Sequence, residues 1–309
     1  MSSTIKQSAA AASRGVAWHH VRAQVPPDWE VTAYAVEDRA GRLEFGTRAG
    51  LMALVSWEPC EQVPDRTTTM KSFLQNNVLG KERDNRLALE ALKTASVGRF
   101  EMGWLENGGP CQALAYAATP RKLIRWIFEE RCRRSRGWRA EIEPILESCD
   151  FNEERLAEYN LHGIHAHLPR SYAIEDIVTL PANVMMAFEN GENKRRTTFR
   201  RWGLPTMLLE DESLADFHSR ILRTAGGEVK RSERCRVNDM EACRSFYSGP
   251  REHHMDRFMG RRWHNGVAVI WHDREARRLY TFEQIGPDTS AELDFTATLP
   301  GLKLERDES

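Results

Sequence analysis

The sequence lacks the long apolar segments that direct proteins to membranes or across them. No apolar run approaches the roughly 18 residues that a transmembrane helix needs. The first residues, MSSTIKQSAAAASRG, lack the apolar core of a secretory signal. The net charge is −1, so no global electrostatic field points to nucleic acid or a membrane surface. We therefore expect a cytoplasmic protein with a flexible tail at residues 1–15.

The short motifs that mark common catalytic sites are also missing. The chain has no G-x-x-x-x-G-K-[ST] phosphate loop, no G-x-G-x-x-G after a strand, no G-x-S-x-G nucleophile turn and no H-E-x-x-H zinc motif. Its six cysteines are scattered without a C-x-x-C pair, which favours reduced buried thiols over disulfides or zinc. These absences predict a protein that binds no cofactor; they favour a protein without enzymatic activity but leave an enzyme open as an alternative.

What the sequence does contain is enough apolar material for a globular core. Hydrophobic residues make up 41% of the 309 residues and charged residues 29%, which is typical of a folded globular protein. A chain of this length accommodates two domains of roughly 150 residues each.

The chain also resembles itself. The segment WHHVRAQVPPDWEV (18–31) aligns without a gap on LHGIHAHLPRSYAI (161–174), and both alternate apolar and polar residues before a proline. Each segment is followed by a hairpin, a helix (67–79 or 212–222, capped by Thr67 or Asp211) and further strands. We therefore expect an α+β fold, made of two tandem copies of a mainly antiparallel β-sheet unit with packed helices. The first copy covers residues 16–150 and the second 151–309.

This order of elements resembles the Mog1/PsbP-like fold. The resemblance rests on an apolar strand, a Pro-x-x-Trp or Pro-x-x-Tyr step, a hairpin, a central helix and closing strands, over residues 16–150 and 155–290. It implies a binding or assembly factor for a larger protein, because most members of that group are not catalytic. It assigns no functional residues.

Three histidines in LHGIHAHLPRSY raise the question of a metal site. His165 and His167 are two residues apart, so they point to the same face of a strand, whereas His162 points to the opposite face. Two histidines bind zinc only with a further ligand from elsewhere. The alternative is a polar, solvent-facing row of a half-buried strand, and the sequence favours that interpretation.

A second group of candidate ligands lies in SGPREHHMDRFMGRRWHN (248–265), which has no counterpart in the first copy. It includes His253 and His254. One alternative function is therefore a metal-dependent enzyme that uses His165, His167 and the 252–264 loop. A flexible, charged loop that contacts a partner is the interpretation we favour.

Clusters of arginine and tryptophan provide the third group of candidates. The residue types enriched at protein interfaces are Trp, Tyr and Arg. The residues predicted to bind a partner are Arg195, Arg196, Arg200, Trp202, Arg261, Arg262 and Trp263. Because arginine beside aromatic rings can also clamp phosphates and stack on bases, nucleic-acid binding is a second alternative.

Together these features predict a non-catalytic binding, assembly or accessory protein that docks on a larger protein partner. No small-molecule substrate is indicated, and no membrane is expected among its partners.

Overall fold

The computed structural model describes most of the chain. The described residues are 13–19, 21–36, 40–74, 92–106, 108–119, 121–134, 136–151, 156–180, 182–250, 263–287 and 295–306. The chain divides into two compact units, Met1–Glu154 and Arg155–Ser309.

Unit 1 is built on antiparallel strands in two sheets. The strands are β1 (Arg14–His19), β2 (Val21–Val25), β3 (Glu30–Val36), β4 (Gly41–Thr47), β5 (Gly50–Pro59), β6 (Leu92–Val97), β7 (Phe100–Leu105), β8 (Cys111–Ala117), β9 (Lys122–Phe128) and β10 (Asp150–Phe151). The larger sheet has seven strands in the order β3-β4-β5-β9-β8-β7-β6. In the smaller sheet, β2 pairs with both β1 and β10.

Aromatic side chains on the strands fill the core of unit 1. The rings of Phe45 and Trp126 stack at 5.7 Å, and Trp126 stacks on Phe128 at 5.4 Å. Two α-helices, α1 (Arg66–Leu74) and α2 (Trp138–Ser148), and a 3-10 helix (Glu130–Arg133) accompany the strands. Helix α2 packs on β2 and buries Ile142, Ile145 and Leu146.

Unit 2 is also built from antiparallel strands, and most of them are longer. They are β11 (Leu156–Leu161), β12 (Ile164–Pro169), β13 (Tyr172–Leu180), β14 (Asn183–Asn190), β15 (Arg196–Trp202), β16 (Glu228–Val237), β17 (Met240–Pro250), β18 (Trp263–Asp273), β19 (Arg278–Gly286) and β20 (Leu304–Arg306). Strands β11 and β12 form a hairpin. The others form an eight-stranded sheet in the order β13-β14-β15-β19-β18-β17-β16-β20.

The large sheet of unit 2 is covered on both faces. Helix α4 (Leu214–Thr224) packs its Phe217 edge-on against Trp202, above Cys243, Ile270 and Leu279. On the other face Tyr159 of the β11–β12 hairpin meets Phe188 at 4.6 Å. Two shorter helices, α3 (Pro205–Leu209) and α5 (Phe295–Thr298), complete the described elements.

The predicted α+β class is wrong. Strands hold 58% of the described residues and helices 17%, so the fold is mainly antiparallel β. The reason is visible in unit 2, where a hairpin rather than a helix covers one face of the sheet and aromatic side chains from strands fill the space between.

The two predicted helices are present, and their first residues, Arg66 and Leu214, differ slightly from the predicted ones. Helix α1 is described over Arg66–Leu74, and residues 75–91 lie outside the described part of the chain. The side chain of Asp65, not Thr67, accepts the first backbone N–H groups of α1 at 3.1 and 3.3 Å. Ser213, not Asp211, caps α4, because its hydroxyl accepts from the Asp216 N–H and donates to the Asp216 carboxylate.

Within the described residues, none of the helices has the length and apolar character to cross a membrane.

Candidate functional site

A tight turn fixes the geometry of the β11–β12 hairpin. His162 and Gly163 form a two-residue connection, and both have positive φ, 52° and 78°. Two left-handed residues in succession are typical of the turns that match the twist of a two-stranded hairpin. The turn sets the register, so that Leu161 pairs with Ile164, Asn160 with His165 and Glu158 with His167. His162 therefore belongs to the turn and not to a strand, which corrects its predicted position.

This register brings Glu158 to the two histidines of β12. Nε2 of His165 lies 2.9 Å from Oε1 of Glu158. The rings of His165 and His167 are 5.2 Å apart and nearly perpendicular, at 88°. The side chain of His165 is 43% exposed, while that of Glu158 is only 14% exposed. One candidate ligand atom from each residue lies within 4.8 Å of the other two.

Glu158 was missed from the sequence, although a signal for it was present. Gly163 lies between two segments that alternate apolar and polar residues, and glycine in that position favours a short hairpin turn. Counting back from this turn places residue 158 opposite residue 167. The other predicted metal ligands, His253 and His254, lie outside the described residues.

Two of the predicted partner-binding arginines lie at the start of β15. The backbone N–H of Arg195 donates to the side chain of Asn193 at 3.0 Å. The side chain of Arg196 is only 13% exposed, and its Nε lies 2.7 Å from Oε2 of Glu175. Arg196 therefore links two strands of the sheet.

Arg200 and Trp202 lie further along the same face of β15. The guanidinium of Arg200 stands 5.9 Å from the centre of the Trp202 ring. Trp202 in turn packs on Phe217 of α4. These contacts place Trp202 in the interface between the helix and the sheet. Of the remaining predicted residues, Arg261 and Arg262 lie outside the described residues and Trp263 begins β18.

A histidine and a serine, residue types common in catalytic sites, are hydrogen-bonded to each other inside the core of unit 2. Nδ1 of His218 and Oγ of Ser245 lie 3.1 Å apart. His218 is 1% exposed and Ser245 is fully buried, so no substrate reaches them. Burial lowers the pKa of His218 to about 3, which keeps the imidazole neutral in the core.

Exposed apolar side chains gather at one end of the sheet of unit 2. Leu180 is 57% exposed, Leu204 54% and Met207 68%. Leu180 pairs with Asn183, which pairs with Trp202 at the end of β15, two residues before Leu204. The amide of Met207 donates to the carbonyl of Leu204 at 3.0 Å. We call these three side chains, Leu180, Leu204 and Met207, the apolar patch.

Unusual backbone conformations flank the short helix of the patch. Leu204 precedes α3 with φ 56° and ψ 51°, in the left-handed region, and Glu210 follows it with φ 45° and ψ −114°. Such conformations are costly for residues other than glycine and persist where the surrounding structure imposes them. The exposed side chains of Leu204 and Met207 thus lie between these two unusual conformations, at the start of α3 and within it.

Comparisons with known proteins leave the function open. The chain matches no protein-family model, and no curated protein matches it. Among solved structures, a protein of unknown function from Pseudomonas aeruginosa has 17% identity and a TM-score of 0.24, covering 43% of this chain and 84% of its own. The T6SS immunity protein TplEi from Pseudomonas aeruginosa has 13% identity and a TM-score of 0.32, covering 95% of this chain and 97% of its own. Scores this low carry no argument about fold or function, and the resemblance to the Mog1/PsbP-like fold stays a prediction.

Proposed function

We propose that the protein is a non-catalytic binding protein that docks on a protein partner through the apolar patch. The observation that carries the proposal is the exposure of three large apolar side chains at one end of one sheet. Leu204 there has a strained, left-handed backbone, and Met207 lies in the helix that follows it. Scattered exposed apolar residues need no explanation, whereas grouped ones mark interaction sites.

The neighbourhood of the patch suggests the chemistry of the partner. Glu210 and Asp211 follow α3 directly and are both exposed. A complementary surface would insert apolar side chains against Leu204 and Met207 and place lysine or arginine at its rim. Charges at the rim of an interface set specificity and association rate more than affinity.

The arginines predicted from sequence fit this proposal less well. Arg196 is engaged by Glu175, and Arg200 lies over Trp202, so both contribute to the fold. The parts played by Arg261, Arg262 and Trp263 stay predictions, as does nucleic-acid binding.

The test is to purify the tagged chain at native expression level and to identify the proteins that come with it. The wild type is compared with a variant in which the apolar patch is disrupted. Met207→Glu places a charge at the most exposed position of the patch. Val63→Glu is the matched control, because Val63 lies in unit 1 and is 66% exposed against 68% for Met207. We expect the wild type and Val63→Glu to retain the same partner in stoichiometric amounts.

Met207→Glu should weaken the complex, rebuilt from purified components, by roughly thirtyfold, the effect of losing an interface hot spot. Equal affinity of the two variants for the partner would show that the patch is not the docking site. Absence of any stoichiometric partner would count against the proposed function itself.

A further inference from the structure

The three ligand-type side chains of the β11–β12 hairpin are placed by backbone geometry and not by chance proximity. The His162–Gly163 turn fixes the register, and the register sets Glu158 directly opposite His167. The two-residue spacing puts His165 on the same face as His167. The opposite face of the hairpin carries Tyr159, which packs into the core. The hairpin is thus anchored on one side while its three polar side chains converge on the other.

The distances among these side chains suit a small divalent cation. In a tetrahedral zinc site with bonds of about 2.0 to 2.1 Å, ligand atoms lie about 3.3 Å from one another. Here candidate ligand atoms of all three residues already lie within 4.8 Å of one another, and the closest pair is 2.9 Å apart. Binding would bring the more distant atoms closer by about 1.5 Å, a change within the reach of side-chain rotation.

The ligand set and its exposure also fit a zinc ion. Two imidazoles and one carboxylate form a donor set that zinc uses, with a water molecule in the fourth position. The 43% exposure of His165 leaves an approach for the ion and for that water.

We propose that Glu158, His165 and His167 bind one Zn²⁺ ion per chain. To bind the ion through Nε2, His165 must be neutral with its ring proton on Nδ1, so bonds to the metal replace its hydrogen bond to the Glu158 carboxylate. The ion would tie β11 to β12 and stabilise the hairpin. This proposal is independent of the apolar patch, which lies on other residues, so either can fail without the other.

Thiols are the main competing ligands in the chain, and the structure disfavours them. All six cysteines are free, and five of them are buried. Burial raises the pKa of Cys111 and Cys149 to about 12, so the thiolate that zinc requires is scarce there.

The first test is a calorimetric titration of the full chain, without a histidine tag, with Zn²⁺ alone. We expect one equivalent to bind the wild type. His167→Gln and Glu158→Gln should each weaken binding by at least about tenfold, since even loss of an outer partner of a metal ligand costs that much. His272→Gln is the control, because His272 is a partly exposed histidine on β18, outside the cluster, and we expect wild-type affinity there.

Two results would overturn the proposal. One is the absence of saturable binding to the wild type. The other is binding that His167→Gln and Glu158→Gln leave unchanged, which would locate the ion elsewhere. Thermal unfolding of each variant without metal shows whether it is folded, and the wild type and His272→Gln should gain more stability than the two ligand variants when the same concentration of zinc is added.

Cobalt supplies a readout that needs no variant. Co²⁺ bound to the wild type should give the visible absorption of a four- or five-coordinate site with nitrogen and oxygen ligands. A thiolate-to-cobalt charge-transfer band would assign the metal to cysteine and contradict the proposal.

Discussion

Leu204 has a backbone conformation that costs energy, and the cost is measurable. Left-handed residues other than glycine lose roughly 1 to 2 kcal/mol, and Leu204 has φ 56°. We expect Leu204→Gly to raise the free energy of unfolding by up to about 1 kcal/mol, because glycine relieves the strain and part of that gain is lost to chain entropy. Urea denaturation measures the change.

The control for this prediction is Leu51→Gly. Leu51 is also exposed, at 37%, but lies in β5 and is not among the residues with positive φ. Glycine should destabilise that strand. If both variants lost the same stability, the backbone of Leu204 would not be strained. Leu204→Gly also removes part of the apolar patch. If this variant is more stable than the wild type but binds the partner less well, the loss of binding is not caused by unfolding.

At the level of single residues, the sequence predicted part of the histidine cluster. The spacing of His165 and His167 showed that they share a face, because strand periodicity is local. It did not supply Glu158, since that requires the pairing of β11 with β12. The strain at Leu204 and Glu210 could not be predicted either, because nothing in LPTMLLE distinguishes a left-handed leucine from an ordinary one.

At the level of elements, helix α4 carries a titratable group into the core of unit 2. The pKa of His218 is about 3 in the folded chain, whereas an unfolded histidine titrates near 6.5. Between these values the unfolded chain binds a proton that the folded chain does not. This group therefore makes stability fall as pH is lowered from about 6.5 towards 3, by about 1.4 kcal/mol per pH unit.

His218→Gln should remove this dependence while keeping a polar group beside Ser245. Between pH 6.5 and pH 5.0 we expect the wild type to lose about 2 kcal/mol more stability than the variant. Urea denaturation at the two pH values measures the difference. Parallel pH dependence of the two proteins would mean that His218 takes up its proton without unfolding.

The helices also show which element boundaries a sequence reveals. The positions of α1 and α4 were predicted to within a few residues at their starts, because apolar spacing is a property of the helix itself. Their caps were assigned to the wrong residues. A side chain caps a helix when its oxygen reaches the first backbone N–H groups. Asp65 and Ser213 do so because each directly precedes the first helical residue, Arg66 or Leu214.

At the level of the whole molecule, the two large sheets share one strand order. β3-β4-β5-β9-β8-β7-β6 in unit 1 corresponds to β13-β14-β15-β19-β18-β17-β16 in unit 2. The predicted duplication is consistent with this order and stays a prediction. The predicted α+β fold class was wrong for a different reason. Sequence patterns locate the helices, but they do not show that hairpins and aromatic side chains cover much of the sheet faces.

The central claim is that the apolar patch contacts a protein partner, and site-specific photocrosslinking in cells tests it most directly. A photoreactive amino acid at position 207 should give one discrete adduct with a second protein, and the adduct should disappear when Leu180→Glu and Leu204→Glu are added. The same amino acid at position 63 should give none. No adduct from position 207, or an equal one from position 63, would contradict the account.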